Sequence, residues 1–413
     1  MSLIATQLAC GPGAGTPAGA VLDDIAEQYV RAALQLALHD PALVSDWHGP
    51  ESWRPAIRIP VAEIAASVDG VAAALAETGA SRSERNELNR ARYLRGQVRA
   101  LGLAARRLRG TATSFDEDAR DGLGLAIGEM DGSEVARARA TLEMELPGPG
   151  PLADRVAAFR TGFRVPGGLR DLVMRAAVNA CRTASAAAID WPRDETVELT
   201  FVPALPWDAF ARRSGPRATR IEINGAEPLD LTRALRLACH EAYPGHHVQH
   251  LWADELATGR GWSEFLLEPG FGPHVLVAEG AAEAGADLAM PPERRLQVYR
   301  DVLAPAAGIP AGQLERLVRV EAILAAVEPA IAAIARDYLD NRINGQTAIA
   351  RLSAEALVAS PETMVAFIER RRARVLVYPL GRRLVLEELR QDGLGGLRRL
   401  FVEQVWGLHL RLP

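Results

Sequence analysis

A mainly α-helical fold with one small antiparallel β element is predicted for this chain by three observations. Apolar residues recur at three- and four-residue spacing over long stretches, which is the helical period. Aromatic residues make up only 5% of the composition. Only residues 198–203 (ELTFVP) and 219–224 (TRIEIN) are short, β-branched and alternating in the manner of strands. With 413 residues, 48% of them hydrophobic, the chain has ample material for a core, and disordered or collagen-like architectures are excluded.

The elements follow in order. Asp24 to His39 is an amphipathic helix, residues 41–60 are a Pro/Trp-rich connector, and a second helix runs through VAEIAASVDGVAAALAE. Ser81 and Glu84 read as a capping box opening a long arginine-rich helix that ends near residue 109, and Ser114 and Glu117 read as another. The arginines of that long helix interleave with Leu and Ala, so they are expected on a solvated face with their stems on the core. The cluster PGPGPL at 147–152 is the best candidate boundary, and a loop between two helices is the equal alternative. We therefore expect a single domain over 1–413 with a subdomain division near 146–152, an N-terminal helical part (1–146) and a second part (152–413) carrying the chemistry. Helical patterns continue over 151–163 and 168–188. The two strands then form the β element, and from Pro228 to the end the helical period returns, notably in LERLVRVEAILAAVEPAIAAIARDYL.

Composition removes several functional classes. The net charge of −5, from 47 basic and 52 acidic residues, offers no basic field, and nucleic acid is not an expected partner. Every apolar run is broken by charge well short of the roughly 18 residues that span a bilayer, so no membrane partner is expected. The N-terminus has no basic leader, only a weak Leu-Ala-Cys10 sequence, and GPGAG at 11–15 lacks a P-loop lysine. Cys10, Cys181 and Cys239 do not make a disulfide framework, Cys239 reads as a small buried thiol, and a cytoplasmic location is expected. Oligomeric state is not legible.

Chemistry concentrates in one place. Four of the eight histidines fall within eleven residues, His240-Glu241-Ala242-Tyr243-Pro244-Gly245-His246-His247-Val248-Gln249-His250. Leu231, Ala234, Leu235 and Ala238 precede them at helical spacing. A zinc-peptidase helix carries HExxH, which sets two ligand histidines one turn apart with the glutamate beside the metal-bound water. Here Pro244 occupies the second histidine's position. Pro244 removes a helical hydrogen bond and Gly245 tolerates unusual dihedrals, so the helix is expected to break at 243–245 and restart at the histidines. His240 and His247 on one unbroken helix would lie roughly 10 Å apart, too far for one ion. A kink would bring His246 to the second ligand position, with His247 the alternative. A polar helix end stabilised by the dipole explains four histidines beside a glutamate poorly.

A third ligand is expected from Glu279-Gly280-Ala281-Ala282-Glu283. Glu279 and Glu283 lie one turn apart among small residues, where burying carboxylates is costly unless they are paired or metal-bound. One would ligate while the other orients a histidine. The expected cofactor is one Zn2+ per chain on His240, His246 and Glu279, other divalent ions being acceptable to the same ligands. Glu241 is the expected general base and Glu283 the expected outer partner. Residues 219–224, ending at Asn224, could pair with an extended substrate backbone.

These motifs carry a resemblance. HEAYPGHHVQ, EGAAE, Trp207, Arg220-Ile-Glu-Ile-Asn224, the arginine-rich helix and FIERRRARVLVYPLG together resemble the bacterial domain-of-unknown-function family 885, whose signature is HE-x-x-PGHH followed by EG-x-A-x-x-E. The resemblance runs across most of the chain. It implies a zincin-like multi-helix fold related to the Taq-like carboxypeptidases and the activity of an inferred zinc metallopeptidase. It places Tyr378 in the cleft, as a donor to the oxyanion, and singles out Arg372, which could pair with a substrate carboxylate, and Gly381. The chain departs from the family at the small Ala281, at Pro379 and in residues 210–218, positions that bear on substrate preference. The expected function is therefore a zinc-dependent hydrolase of peptide bonds, a carboxypeptidase or small-peptide exopeptidase, with a peptide or small amide as substrate. An amidohydrolase acting on a non-peptide metabolite, or a non-catalytic metal-binding scaffold, are the alternatives.

Overall fold

The computed structural model describes residues 18–77, 85–203, 205 and 207–403. Helices dominate it. Ala18–Ala37, Val61–Glu77 and the arginine-rich Arg85–Leu108 pack side by side at the N-terminal end. The Ser114 capping box forms, its hydroxyl accepting from the Glu117 N–H while the Glu117 carboxylate accepts from the Ser114 N–H. The Ser81/Glu84 pair and the Leu-Ala-Cys10 and GPGAG sequences lie outside the described residues.

The long helix departs from a purely solvated arginine face. Arg92, Arg95 and Arg99 are exposed, but Arg90 is buried and pairs with Glu264 at 2.6 and 3.0 Å and with Asp23 at 2.6 Å. Burial pushes the Glu264 carboxyl up, with Arg90 opposing. This ion pair ties the N-terminal helices to the segment that follows the histidine cluster.

The apolar run at 314–339 is two helices, Leu314–Val327 and Ala330–Leu339. Pro329 separates them because it cannot supply the helical N–H.

The β structure has two parts. β1 (Val44–Trp47) lies within the Pro/Trp connector and pairs antiparallel with β5 (Leu267–Pro269). Between them in sequence are β2 (Thr196–Val202), β3 (Ala209–Gly215) and β4 (Ala218–Asn224), in the order β2-β4-β3. The two strands read from the sequence, β2 and β4, run parallel to each other, and the antiparallel pairing is between β4 and β3. β3 escapes the alternation rule because the residue facing inward beside Ala211 is Arg213, buried against Asp254 and the His250 carbonyl.

One apolar core gathers residues from Leu22 to Val402 and so crosses the Pro/Gly cluster at 147–151. Helices Ser133–Glu145 and Leu152–Thr161 flank that cluster and share a smaller core of Leu142, Leu146, Leu152, Val156 and Val320. No described helix is long and apolar enough to cross a membrane.

Candidate metal centre

The histidine helix begins at Leu231, capped by the Asp230 carboxylate on the Arg233 N–H, and its last turn, Ala238–Ala242, widens to π geometry. The widened turn accommodates one extra residue, a device frequent at functional sites. The Tyr243–Pro244 peptide is cis. Gly245 then passes directly over the helix end, where a Cβ would sit 1.6 Å from the His240 carbonyl oxygen. Only glycine fits that approach, and the second helix, His246–Arg260, opens immediately after it. The Pro-Gly pair thus ends one helix and lets the next start against it.

As a result the His240 and His246 rings lie 4.8 Å apart, edge to face. Helix Gly272–Ala289 lies alongside with its glycines and all but one of its alanines buried, and it delivers Glu279 and Glu283. The Glu279 Oε2 atom is 3.2 Å from His240 Nε2 and 3.5 Å from His246 Nε2. Among the described residues, His240, His246 and Glu279 form a group that could hold a metal ion, their ligand atoms all within 4.8 Å of one another. Two neutral imidazoles and a carboxylate are the donor set that borderline divalent ions accept.

Acceptors lie near the other ring nitrogens. His240 Nδ1 lies 2.9 Å from Glu283 Oε1. His246 Nδ1 lies 3.1 Å from Gln249 Oε1, and the Gln249 amide donates to the Ala278 carbonyl at 2.9 Å. Glu279 faces both Nε2 atoms as an acceptor too. Burial works against charging the imidazoles, but Glu283 and Glu279 hold His240 well above the usual histidine range and Glu279 holds His246 above it, so an ion entering the group would displace protons from Nε2. Gln249 was not singled out from the sequence. Its position three residues after His246, on the same helix face, is the signal that could have found it.

The electrostatics fit these roles. Burial works against a charged Glu279, but both histidines and Arg374 outweigh it and hold its carboxyl well below the usual range. Glu283 is likewise held low, burial being overcome chiefly by His240. Glu241 behaves in the opposite way, because burial dominates and raises its carboxyl despite His240 and His246. It is 5% exposed, and its Oε2 has no hydrogen-bond partner among the described residues. An unpartnered buried carboxyl oxygen is costly unless something else occupies the space in front of it.

His247 points elsewhere. Fully buried, it sets Nδ1 2.9 Å from the Thr219 hydroxyl of β4 and Nε2 3.6 Å from Glu195 Oε2. Glu195 also accepts from Tyr243 at 2.7 Å, Arg182 at 2.6 Å and Trp191 at 3.1 Å. Although burial opposes its charge, these partners, His247 foremost, lower its pKa to about 2. His247 therefore joins the histidine helix to the sheet, and His246 is the member of the pair that faces Glu279.

The remaining candidates divide. Tyr378 is half-buried with its ring centroid 6.5 Å from that of His240, and burial together with Glu279 raises its phenol, so it stays protonated. Asn224 is occupied structurally: its side chain donates to the Leu205 carbonyl at 3.0 Å and accepts from the Ala226 N–H at 3.0 Å. Arg372 is also occupied, since it pairs with Asp118 and donates to the Thr113 carbonyl at 2.7 Å. The arginine that reaches the centre is Arg374, which donates to Glu279 Oε1 at 2.9 Å and to the Gly270 carbonyl at 3.3 Å. Its Nη2 takes one carboxylate oxygen and leaves the other to the histidines. In the run Arg370, Arg371, Arg372 and Arg374, no sequence feature distinguishes it.

Cys239, next to His240, forms a disulfide with Cys181 of helix Arg170–Ala186, with the Cα atoms 5.3 Å apart. This replaces the free buried thiol expected at Cys239. It also removes the argument for a reducing compartment, because disulfides persist chiefly in oxidising ones.

No family model and no curated protein matches the chain. Among solved structures it is similar to a candidate lipoprotein of unknown function from Shewanella oneidensis, with a TM-score of 0.43 and 13% identity over 80% of this chain. The match spans 66% of that protein's length. A likeness at this level carries neither fold nor function across.

Proposed function

We propose that this chain is a zinc-dependent hydrolase of peptide or related amide bonds. The reading rests on one observation: His240, His246 and Glu279 gather their ligand atoms within 4.8 Å of one another, beside a buried Glu241 with an unpartnered oxygen. The resemblance to family 885 supports the same reading through the HEAYPGHH and EGAAE motifs, and zinc is the ion that a His, His, Glu set with an adjacent glutamate most often serves in hydrolysis.

In this reading His240, His246 and Glu279 would hold the ion. When bound there, it would supply Lewis acidity to a substrate carbonyl and lower the pKa of a water. Glu241 takes a proton on Oε2 and returns it to the leaving amine, work suited to a carboxyl whose pKa burial has raised. Glu283 and Gln249 would orient the two imidazoles through Nδ1 once an ion takes the Nε2 atoms, and Arg374 keeps Glu279 ionised and oriented. Tyr378, with its proton retained, is a neutral donor beside the developing oxyanion. The expectation of exopeptidase action rested on Arg372, and since that residue is engaged by Asp118 the proposal extends to amide hydrolysis without assigning the end of the substrate attacked.

The test is hydrolysis of a mixed peptide library by the wild type and by Glu241→Gln, with the metal content of both samples measured. The proposal expects equal metal and a loss of rate of roughly 10²- to 10⁴-fold in the variant. Equal rates in the two proteins would remove Glu241 from the chemistry and the proposal with it. Cleavage of non-peptide amides alone would favour the amidohydrolase reading.

A further inference from the structure

A second group of arginines lines a cleft of about 310 Å³ between the C-terminal half of the Arg85–Leu108 helix and the segment 370–374. Five arginines face it together with two aspartates, Asp40 and Asp118. Arg372 is taken up by Asp118 and Arg374 by Glu279. Asp40 accepts the Ala42 N–H at 2.9 Å, which caps the turn that follows it. Arg107, Arg370 and Arg371 form no ion pair among the described residues. Arg371 donates only to a neutral group, the Ala42 carbonyl, at 2.7 Å.

Half-burying guanidinium groups without counter-charge is unfavourable. Burial, then Arg374 and Arg370, push Arg371 down to about 10, and burial lowers Arg107 as well. All 47 basic residues of the chain are arginine, so surface arginines are expected everywhere. What sets these apart is that they converge on one concave site whose lining carboxylates are Asp40 and Asp118, the latter already bound by Arg372. Arg374 adds a further donor, since its buried Nε has no hydrogen-bond partner among the described residues.

We propose that this cleft binds a small oxyanion, a dicarboxylate or a phosphate, through Arg107, Arg371 and the exposed Arg370. The guanidinium fork matches both anions in bidentate geometry, and a lined cleft concentrates the field of several cations on one ligand. The proposed ligands Arg107, Arg370 and Arg371 form no ion pair with Glu279, and the link to the metal-ligating group is Arg374, which lines the cleft and donates to Glu279.

The experiment is calorimetric titration of the full chain with succinate and with inorganic phosphate, repeated on an Arg107→Gln/Arg371→Gln variant, on Arg370→Gln and on the control Arg300→Gln. At least one probe should bind the wild type, and the tighter of the two assigns the carboxylate or phosphate class. The double variant should bind roughly tenfold more weakly or worse, as expected for lost charge-assisted bonds. Arg370→Gln, altered only at an exposed side chain, should weaken binding by a smaller factor, which keeps the test valid if the double variant fails to fold. Arg300→Gln should match the wild type. Absence of binding to the wild type would overturn the proposal. So would wild-type affinity in both the folded double variant and Arg370→Gln, which would place the anion elsewhere, for instance on the metal group.

Discussion

Glu321 shows how burial alone sets a pH dependence in this molecule. Its carboxyl accepts from the Tyr299 hydroxyl at 2.8 Å, and burial raises its pKa from 4.5 to about 7, with Arg295 and that hydrogen bond opposing. The folded value lies above the unfolded one, so the native state binds this proton more tightly. The stabilisation is complete below about pH 4.5 and is lost as the pH rises through about 7. Glu321→Gln should remove the dependence and exceed the wild type in stability by up to about 3 kcal/mol near pH 8. Urea unfolding of both proteins across this range checks it, and parallel pH profiles would contradict it. At the same scale, Glu241 and Glu279 were legible because their spacing from the histidine and glycine motifs carries chemical meaning. Arg374 was not, because four neighbouring arginines have the same composition and only tertiary placement separates the one on Glu279 from the one on Asp118.

At the scale of elements, the candidate metal centre depends on close approaches between backbones. Gly280 of the Glu279 helix meets Gly381 of helix Pro379–Glu388, and a Cβ on Gly280 would stand 2.5 Å from the Gly381 carbonyl carbon. Backbone on both sides cannot yield as a side chain can, so Gly280→Ala should cost at least about 1–3 kcal/mol and move Glu279 away from the histidines. Thermal unfolding and metal content of the variant measure the two effects. Gly245→Ala, facing the tighter approach over His240, should be the more damaging of the two. The Cys181–Cys239 disulfide closes a loop with a sequence separation of 58 residues, and its reduction should cost roughly 2–4 kcal/mol in denaturant unfolding. The break at Pro244-Gly245 was legible because proline and glycine have local consequences that no tertiary context removes. β3 was not, because a buried Arg213 erased the alternation that marks a strand. With β3 missed, β2 and β4 read as an antiparallel pair, although they run parallel.

For the whole molecule, one core from Leu22 to Val402 joins the N-terminal helices to the histidine helices, and the Arg90–Glu264 pair crosses the same interface. The candidate centre is thus held by elements from distant parts of the chain, with Arg374 and Glu279 separated by 95 residues in sequence. Helical class was legible from periodicity, and the cluster at 147–152 connects two helices that share a small core. An ion held by this frame would bind the folded chain alone and would raise its thermal stability by mass action. The most direct measurement is therefore metal content, by elemental mass spectrometry, of purified wild type and Glu279→Ala, with thermal unfolding before and after chelation. About one zinc per wild-type chain, lost in the variant, with a melting temperature lowered by chelator only in the wild type, is the expected result. A wild type that takes up no metal under reloading conditions, or a variant that holds as much as the wild type, would contradict the assignment of His240, His246 and Glu279 as a metal centre.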